Sequence, residues 1–257
     1  MTDVSGEEIR AGSVLPADRR PITLITADGL RLVGEAALPV GREPRATLVC
    51  VHPLPTHGGT MDSHVLRKAA WRLPALADIA VVRFNTRGTS SAAGTSEGAF
   101  DASDGEGLDL AAAVDWVRGQ GMPDPWLLGW SFGTDVVLRH GASLHPAGAI
   151  LLSPPLRYTS PEELARWNDV GCPVVCLVPE NDDYLRPDEA RERFAVVPRA
   201  EIVVGQEMGH LWVGEPAVRT VLAEVAARMR PERPPLDWQW PDARAQAEGA
   251  MERWTDL

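Results

Sequence analysis

Ser131 stands in Gly129-Trp130-Ser131-Phe132-Gly133, a G-x-S-x-G pentapeptide that closes the apolar run Pro125-Trp126-Leu127-Leu128. In this pattern a strand delivers the serine to a turn so tight that only small residues are accepted two places to either side. A serine hydroxyl is a weak nucleophile at neutral pH. It needs a base within hydrogen-bond reach, itself oriented by a third group. His210, in Gly205-Gln206-Glu207-Met208-Gly209-His210-Leu211-Trp212, follows an apolar run. Asp182 lies in Val178-Pro179-Glu180-Asn181-Asp182-Asp183-Tyr184, just past another. Asp183 competes with it, since spacing alone cannot separate adjacent loop carboxylates, and the unused one would serve a turn or cap. The remaining histidines, His52, His57, His64, His140 and His145, all precede the acidic pair and read as loop, helix-face or core residues. Cys50, Cys172 and Cys176 make no even disulfide set and no zinc quartet, so they read as small hydrophobes.

The elements that must hold these residues are legible from hydrophobic pattern. Ile22–Thr26 and Leu30–Ala36 flank Ala27-Asp28-Gly29, which predicts an antiparallel hairpin. Ala46–Val51, Ile79–Phe84, Pro125–Trp130, Ala147–Ser153, Pro173–Val178 and Glu201–Val204 are runs with the near-continuous apolarity of strands buried on both faces. Helices are expected over Met61–Leu73, Gly105–Arg118, Phe132–His140 and Pro216–Met229. Strands alternating with helices imply a mostly parallel, doubly wound α/β sheet, because parallel neighbours need crossover connections. Residues 1 to about 20 suggest a flexible arm, 21–230 one domain, and 231–257, with Trp238, Trp240 and Trp254, an irregular tail packed on the body. Residues 85–98, rich in turn formers, make a long loop of the kind that lines a site.

In the α/β-hydrolase arrangement the order is serine, acid, histidine, each on a loop after a strand at one sheet edge. Asp182 and His210 fit that order, and His210 is the histidine that follows both Ser131 and Asp182. One oxyanion donor is expected from the residue after the nucleophile, Phe132, and the other from the loop after Val51. Proline has no N–H, so Pro53 cannot donate and Leu54 is the first residue in that loop able to do so.

Several motifs, in order, carry a family resemblance: His52-Pro53-Leu54-Pro55, Gly58-Gly59-Thr60-Met61-Asp62, Arg83-Phe84-Asn85-Thr86-Arg87-Gly88, Gly105-Glu106 and the serine pentapeptide. Together they resemble the short, lidless bacterial α/β-hydrolases of the dienelactone-hydrolase-like group, over roughly residues 22 to 230. The resemblance implies a serine hydrolase of esterase or thioesterase type, with no metal or organic cofactor. A serine in place of the cysteine of true dienelactone hydrolases argues against that lactone as substrate. Between Ser153 and Pro173 there is room for one helix, Pro161 to Trp167, and for no large cap. An open site favours small or surface-presented acyl esters, with Pro55, Trp130 and Tyr158 as expected pocket residues.

Composition narrows the partners. With 36 Asp+Glu against 25 Lys+Arg and a net charge of -11, the chain would be repelled by nucleic acid and by anionic membranes. No apolar stretch suits a membrane span, and Met1-Thr2-Asp3-Val4-Ser5 lacks the pattern of a signal peptide, so a cytoplasmic location is expected. Acyl transfer, peptide cleavage, or binding without catalysis on the same fold are the alternatives, since the triad is blind to the acceptor and fold alone never proves activity. Oligomeric state has no signal in the sequence.

Overall fold

The computed structural model describes residues 6–240. Its centre is an eight-stranded sheet: β1 (Asp18–Ile25), β2 (Arg31–Leu38), β3 (Ala46–Val51), β4 (Ile79–Phe84), β5 (Pro125–Trp130), β6 (Gly148–Leu152), β7 (Val174–Asn181) and β8 (Ala200–Gly209). The spatial order is β8-β7-β6-β5-β3-β4-β2-β1. The β1–β2 hairpin pairs antiparallel and β2 joins β4 antiparallel, while the pairs from β4 through β8 are parallel. This is the expected mostly parallel sheet with an N-terminal antiparallel hairpin.

Every residue of β3, β4 and β6 is buried, because helices cover both faces. The period of two sorts their side chains between two cores. Val49, Val51, Leu127 and Leu151 pack with α2 (Glu106–Gly119) and α3 (Phe132–His140). Leu48, Cys50, Leu128 and Leu152 pack with α1 (His64–Ala77) and α6 (Glu215–Met229). Between β6 and β7 lies only α4 (Pro161–Ala165), capped by Ser160 in a capping box with Glu163, followed by one 3₁₀ turn, so no cap covers the sheet edge there. A further helix, α5 (Pro187–Phe194), connects β7 to β8.

Several boundaries differ from expectation, and for three of them the structure shows the reason. The first helix starts at His64 rather than Met61, because Thr60–Ser63 close a turn of their own, with the Ser63 N–H on the Thr60 carbonyl at 2.9 Å. It continues to Ala77 through Pro74. Proline supplies no N–H to the carbonyl four residues back, and that carbonyl, on Ala70, takes an Arg19 guanidinium N–H at 3.4 Å instead. The last strand reaches Gly209, since β7 and β8 resume pairing at Asn181–Gly209 after a register shift near Pro179.

The sequence suggested loose order for residues 1 to about 20. Among the described part of that stretch, Ile9, Val14 and Leu15 are buried, and Glu7–Glu8 pair antiparallel with Gln239–Trp240. The segment from Leu236 to Trp240 closes over Ile9, Leu15 and Leu76, and the Arg219 guanidinium lies 5.3 Å over the Trp238 ring. Trp254 lies outside the described residues.

Candidate active site

Ser131 sits between β5 and α3 with φ 51° and ψ -117°, a conformation that a non-glycine residue holds only when its surroundings force it. The forcing contacts are visible at the two glycines. A Cβ on Gly129 would lie 2.4 Å from the Gly133 carbonyl oxygen, and one on Gly133 would lie 2.3 Å from that of Val51. The pentapeptide therefore presses the start of α3 against β5 and the end of β3, and the Ser131 side chain is pushed to the apex.

Asp182 and His210 follow immediately on Asn181 and Gly209, the last residues of β7 and β8 to pair. That register puts the two loops side by side. His210 Nδ1 lies 2.9 Å from Asp182 Oδ2 and 3.1 Å from Oδ1, and His210 Nε2 lies 2.8 Å from Ser131 Oγ. Burial pushes the Asp182 carboxyl up, but the His210 hydrogen bond and the Tyr184 and Leu185 amides outweigh it and hold the carboxyl below its ordinary range. An ionised carboxylate only accepts, so Nδ1 carries the proton and Nε2 is left to accept from the Ser131 hydroxyl. Asp183, one residue on, is exposed and lies away from the imidazole's hydrogen bonds. The choice between the two carboxylates, open in the sequence, is thus made by the turn in which the Tyr184 N–H binds Asp182 Oδ1 at 2.8 Å.

Leu54 and Phe132 offer backbone N–H groups that have no acceptor among the described residues. Phe132 opens α3, whose first N–H groups have no intrahelical partner. The Leu54 amide is placed by a device the sequence reading missed. His52 is fully buried; its Nε2 accepts the Thr86 N–H at 3.1 Å, and its Nδ1 therefore donates to the Pro53 carbonyl at 2.7 Å. Burial holds this imidazole neutral, with its pKa lowered to about 4. In a trans peptide the carbonyl and the following N–H point opposite ways, so anchoring the Pro53 carbonyl aims the Leu54 N–H away from it.

The end of β4 fixes the rest of that loop. Arg83 Nη1 donates to the Met61 carbonyl at 2.8 Å, the Asn85 side-chain carbonyl accepts the Met61 N–H at 3.0 Å, and Arg83 pairs with buried Glu35. Arg87 pairs with buried Asp109 on α2 and anchors the long loop that follows. These contacts explain why Arg83, Asn85, Thr86 and Arg87 occur as a block. The signal was in the sequence, but nothing local showed what the block would hold.

Of the expected pocket residues, Tyr158 packs edge-on against Phe132 at 5.9 Å and Pro55 begins a short, partly exposed 3₁₀ turn. Trp130 is a correction. It is 2% exposed, on the α1/α6 side of the sheet opposite to that of Phe132, and its indole N–H meets the His210 carbonyl at 3.3 Å. Alternation along β5 turns it inward. Tyr184, 66% exposed, instead places its ring 4.5 Å from the His210 imidazole at the surface. A groove of ≈ 610 Å³ runs beside the His210 loop, bordered by Asp183, Glu207, Met208, Leu211 and Val213, and does not reach Ser131. Cys50, Cys172 and Cys176 are buried free thiols, and burial pushes all three up, Cys50 to about 12, which makes them poor nucleophiles.

No family model matches the chain. The uncharacterized protein RP471 of Rickettsia prowazekii (strain Madrid E) is 29% identical over 157 residues, 58% of this chain and 62% of that protein. The chain thus spans a little under two thirds of that curated relative. Among solved structures, an α/β serine hydrolase homologue from Coxiella burnetii is 25% identical, with TM-score 0.65, 84% of this chain covered and 97% of that one. The esterase Pf2001 of Pyrococcus furiosus shares the fold at 16% identity, TM-score 0.68, with 84% and 91% covered. XC6422 from Xanthomonas campestris, described as a member of the α/β serine hydrolases without lid, is 30% identical, with TM-score 0.66, 84% of this chain and 94% of that chain covered. The lidless sheet edge between β6 and β7 agrees with that likeness, and this chain belongs to the α/β serine hydrolases that lack a lid.

Proposed function

We propose that the protein hydrolyses a carboxylic ester or thioester of a small molecule through an acyl-enzyme on Ser131. The observation that carries this reading is the unbroken hydrogen-bonded line from Ser131 Oγ through His210 to Asp182, at 2.8 and 2.9 Å. Ser131 Oγ attacks the carbonyl carbon while His210 Nε2 takes its proton. The carbonyl oxygen gains the negative charge of the tetrahedral intermediate beside the N–H groups of Leu54 and Phe132. Collapse expels the alcohol or thiol, which receives the proton from His210. Water then repeats the sequence on the acyl-serine, giving the acid and free Ser131. Asp182 holds the imidazole in the tautomer that the first step requires and stabilises the imidazolium that forms.

Labelling with a fluorophosphonate probe and turnover of p-nitrophenyl acetate test this directly. Wild type should label and turn over, and Ser131→Ala should do neither, with kcat down by about five orders of magnitude or more, as for removal of a triad serine in general. A Ser131→Ala protein that keeps even about a tenth of the rate would sink the assignment.

A further inference from the structure

His210 sits on a loop in which Leu211 is 55% and Val213 77% exposed, while Trp212 between them is buried. The imidazole must nevertheless meet Asp182 and Ser131 together. The backbone beneath it is held from the interior. Its carbonyl accepts two hydrogen bonds, from Ser153 Oγ at 3.0 Å and from Trp130 Nε1 at 3.3 Å. The Ser153 hydroxyl, its one proton given to His210, accepts the Trp212 indole N–H at 2.9 Å. The Trp212 backbone N–H returns to the Gly209 carbonyl at 3.0 Å, and the Trp212 carbonyl meets His64 Nε2 at 3.1 Å. His64 in turn stands edge-on to Trp130, ring centroids 5.1 Å apart. Ser153 and Trp212 both have φ 50°, a left-handed conformation costly for non-glycine residues, so the packing around them must hold each in place.

We infer that Ser153, Trp130 and Trp212 are positioning residues that set where the His210 imidazole meets Ser131, a role that rests on His210 being the base proposed above. The division of labour is physical. Asp182 binds the ring and sets its rotation, whereas Ser153 and Trp130 bind the His210 carbonyl, and the Trp212 indole ties its own end of the segment to Ser153, so that together they set where the ring is carried. Trp130 directly precedes Ser131, so the residue that leads into the nucleophile also grips the carbonyl of the base. Ser153 directly follows β6, the strand paired with β5, so both grips come from residues at the edge of neighbouring strands.

The bland alternative is that these bonds only satisfy buried polar groups. A double-mutant cycle separates the two. Ser153→Ala removes one donor to His210 and orphans the Trp212 indole N–H; kcat for p-nitrophenyl acetate should fall about 10²-fold with KM within about threefold, the scale expected for an ångström of misplacement. Trp130→Phe, which keeps an aromatic ring but removes the indole N–H, should cost about tenfold. In a His210→Ala background neither change should lower the residual rate further, because no imidazole is left to misplace. If both variants lower Tm but leave kcat at 25 °C intact, or lower the residual His210→Ala rate by the same factor as wild type, the positioning role is overturned. Should Ser153→Ala fail to fold, Trp130→Phe carries the same cycle alone. A His210→Ala protein as active as wild type has a different signature: it overturns the base assignment itself, and this inference with it.

Discussion

The serine elbow and the histidine loop reach one site by opposite routes. Between residues 125 and 140 most of what places Ser131 is contiguous: an apolar strand, two glycines whose Cβ atoms would strike backbone, and a helix that starts at once, with Val51 and the Leu152 carbonyl as the contacts from outside. Between residues 205 and 214 the contiguous contacts, such as the Trp212 N–H on the Gly209 carbonyl, do not suffice to place His210. Its position comes from the β7–β8 register, from Asp182 on another loop, from Trp130 at the end of β5 and from Ser153 just past β6. Half of the site is local and half is assembled. Damage to the local half should appear at the mutated segment, while the assembled half should be open to damage from residues far away in sequence.

The widest test of that contrast is Asp182→Asn, remote from Ser131 in sequence yet expected to cost about 10⁴ in kcat. An asparagine NH₂ would donate to Nδ1 and leave Nε2 protonated, unable to accept the serine proton. Asp183→Asn, at the exposed neighbour, should stay within about threefold of wild type. Steady-state rates on a p-nitrophenyl ester decide it, and the reverse ranking would move the acid to Asp183. Next is Leu54→Pro, which deletes one N–H and should lower kcat roughly 10²- to 10³-fold, against less than about tenfold for Leu54→Ala. Equal losses from the two would mean that the side chain, and not the amide, is what the loop presents.

A smaller effect should appear in stability rather than rate. The His52 pKa is lowered to about 4 from an ordinary 6.5, because burial disfavours its charged form. Its contribution is therefore complete above about pH 6.5 and is lost as pH falls towards about 4, reaching about 2 kcal/mol of lost stability at pH 5. Denaturant unfolding at pH 7.5 and pH 5 should show that loss in wild type and a smaller one in His52→Gln; identical pH dependence in the two would clear His52 of the role. Smallest of all should be chain length. With only α4 and one 3₁₀ turn between β6 and β7, rates should decline by less than about tenfold from butyryl to dodecanoyl esters. A maximum at long chains would show that the 85–98 loop or the C-terminal segment closes over the site.

The same contrast governs what could be read in advance. β5 and α3 were expected at Pro125–Trp130 and Phe132–His140, and both lie there, because periodicity and glycine placement are properties of adjacent residues. The start of α1 was misread by three residues since the Thr60–Ser63 turn competes with a helix on similar local terms. The N-terminal segment, polar in sequence, owes its order to Leu76 and Trp238, partners that a window of neighbours never contains. Trp130 was read as a pocket residue from its place beside Ser131, but the side of the sheet it faces decides its neighbours.

The sequence by itself determined the order and type of the eight central strands and of the helices other than α5, the tight serine turn, the absence of a donor at Pro53 and the presence of one at Leu54, all of which depend on covalent structure or on neighbours along the chain. Tertiary structure decided which carboxylate meets His210, that His52 aims the Leu54 amide through the Pro53 carbonyl, and that Ser153 and Trp130 hold the His210 carbonyl from beneath. Those choices rest on hydrogen bonds a few ångströms long between residues dozens of positions apart, and only strand order and register, set by burial of both sheet faces, bring such groups within reach.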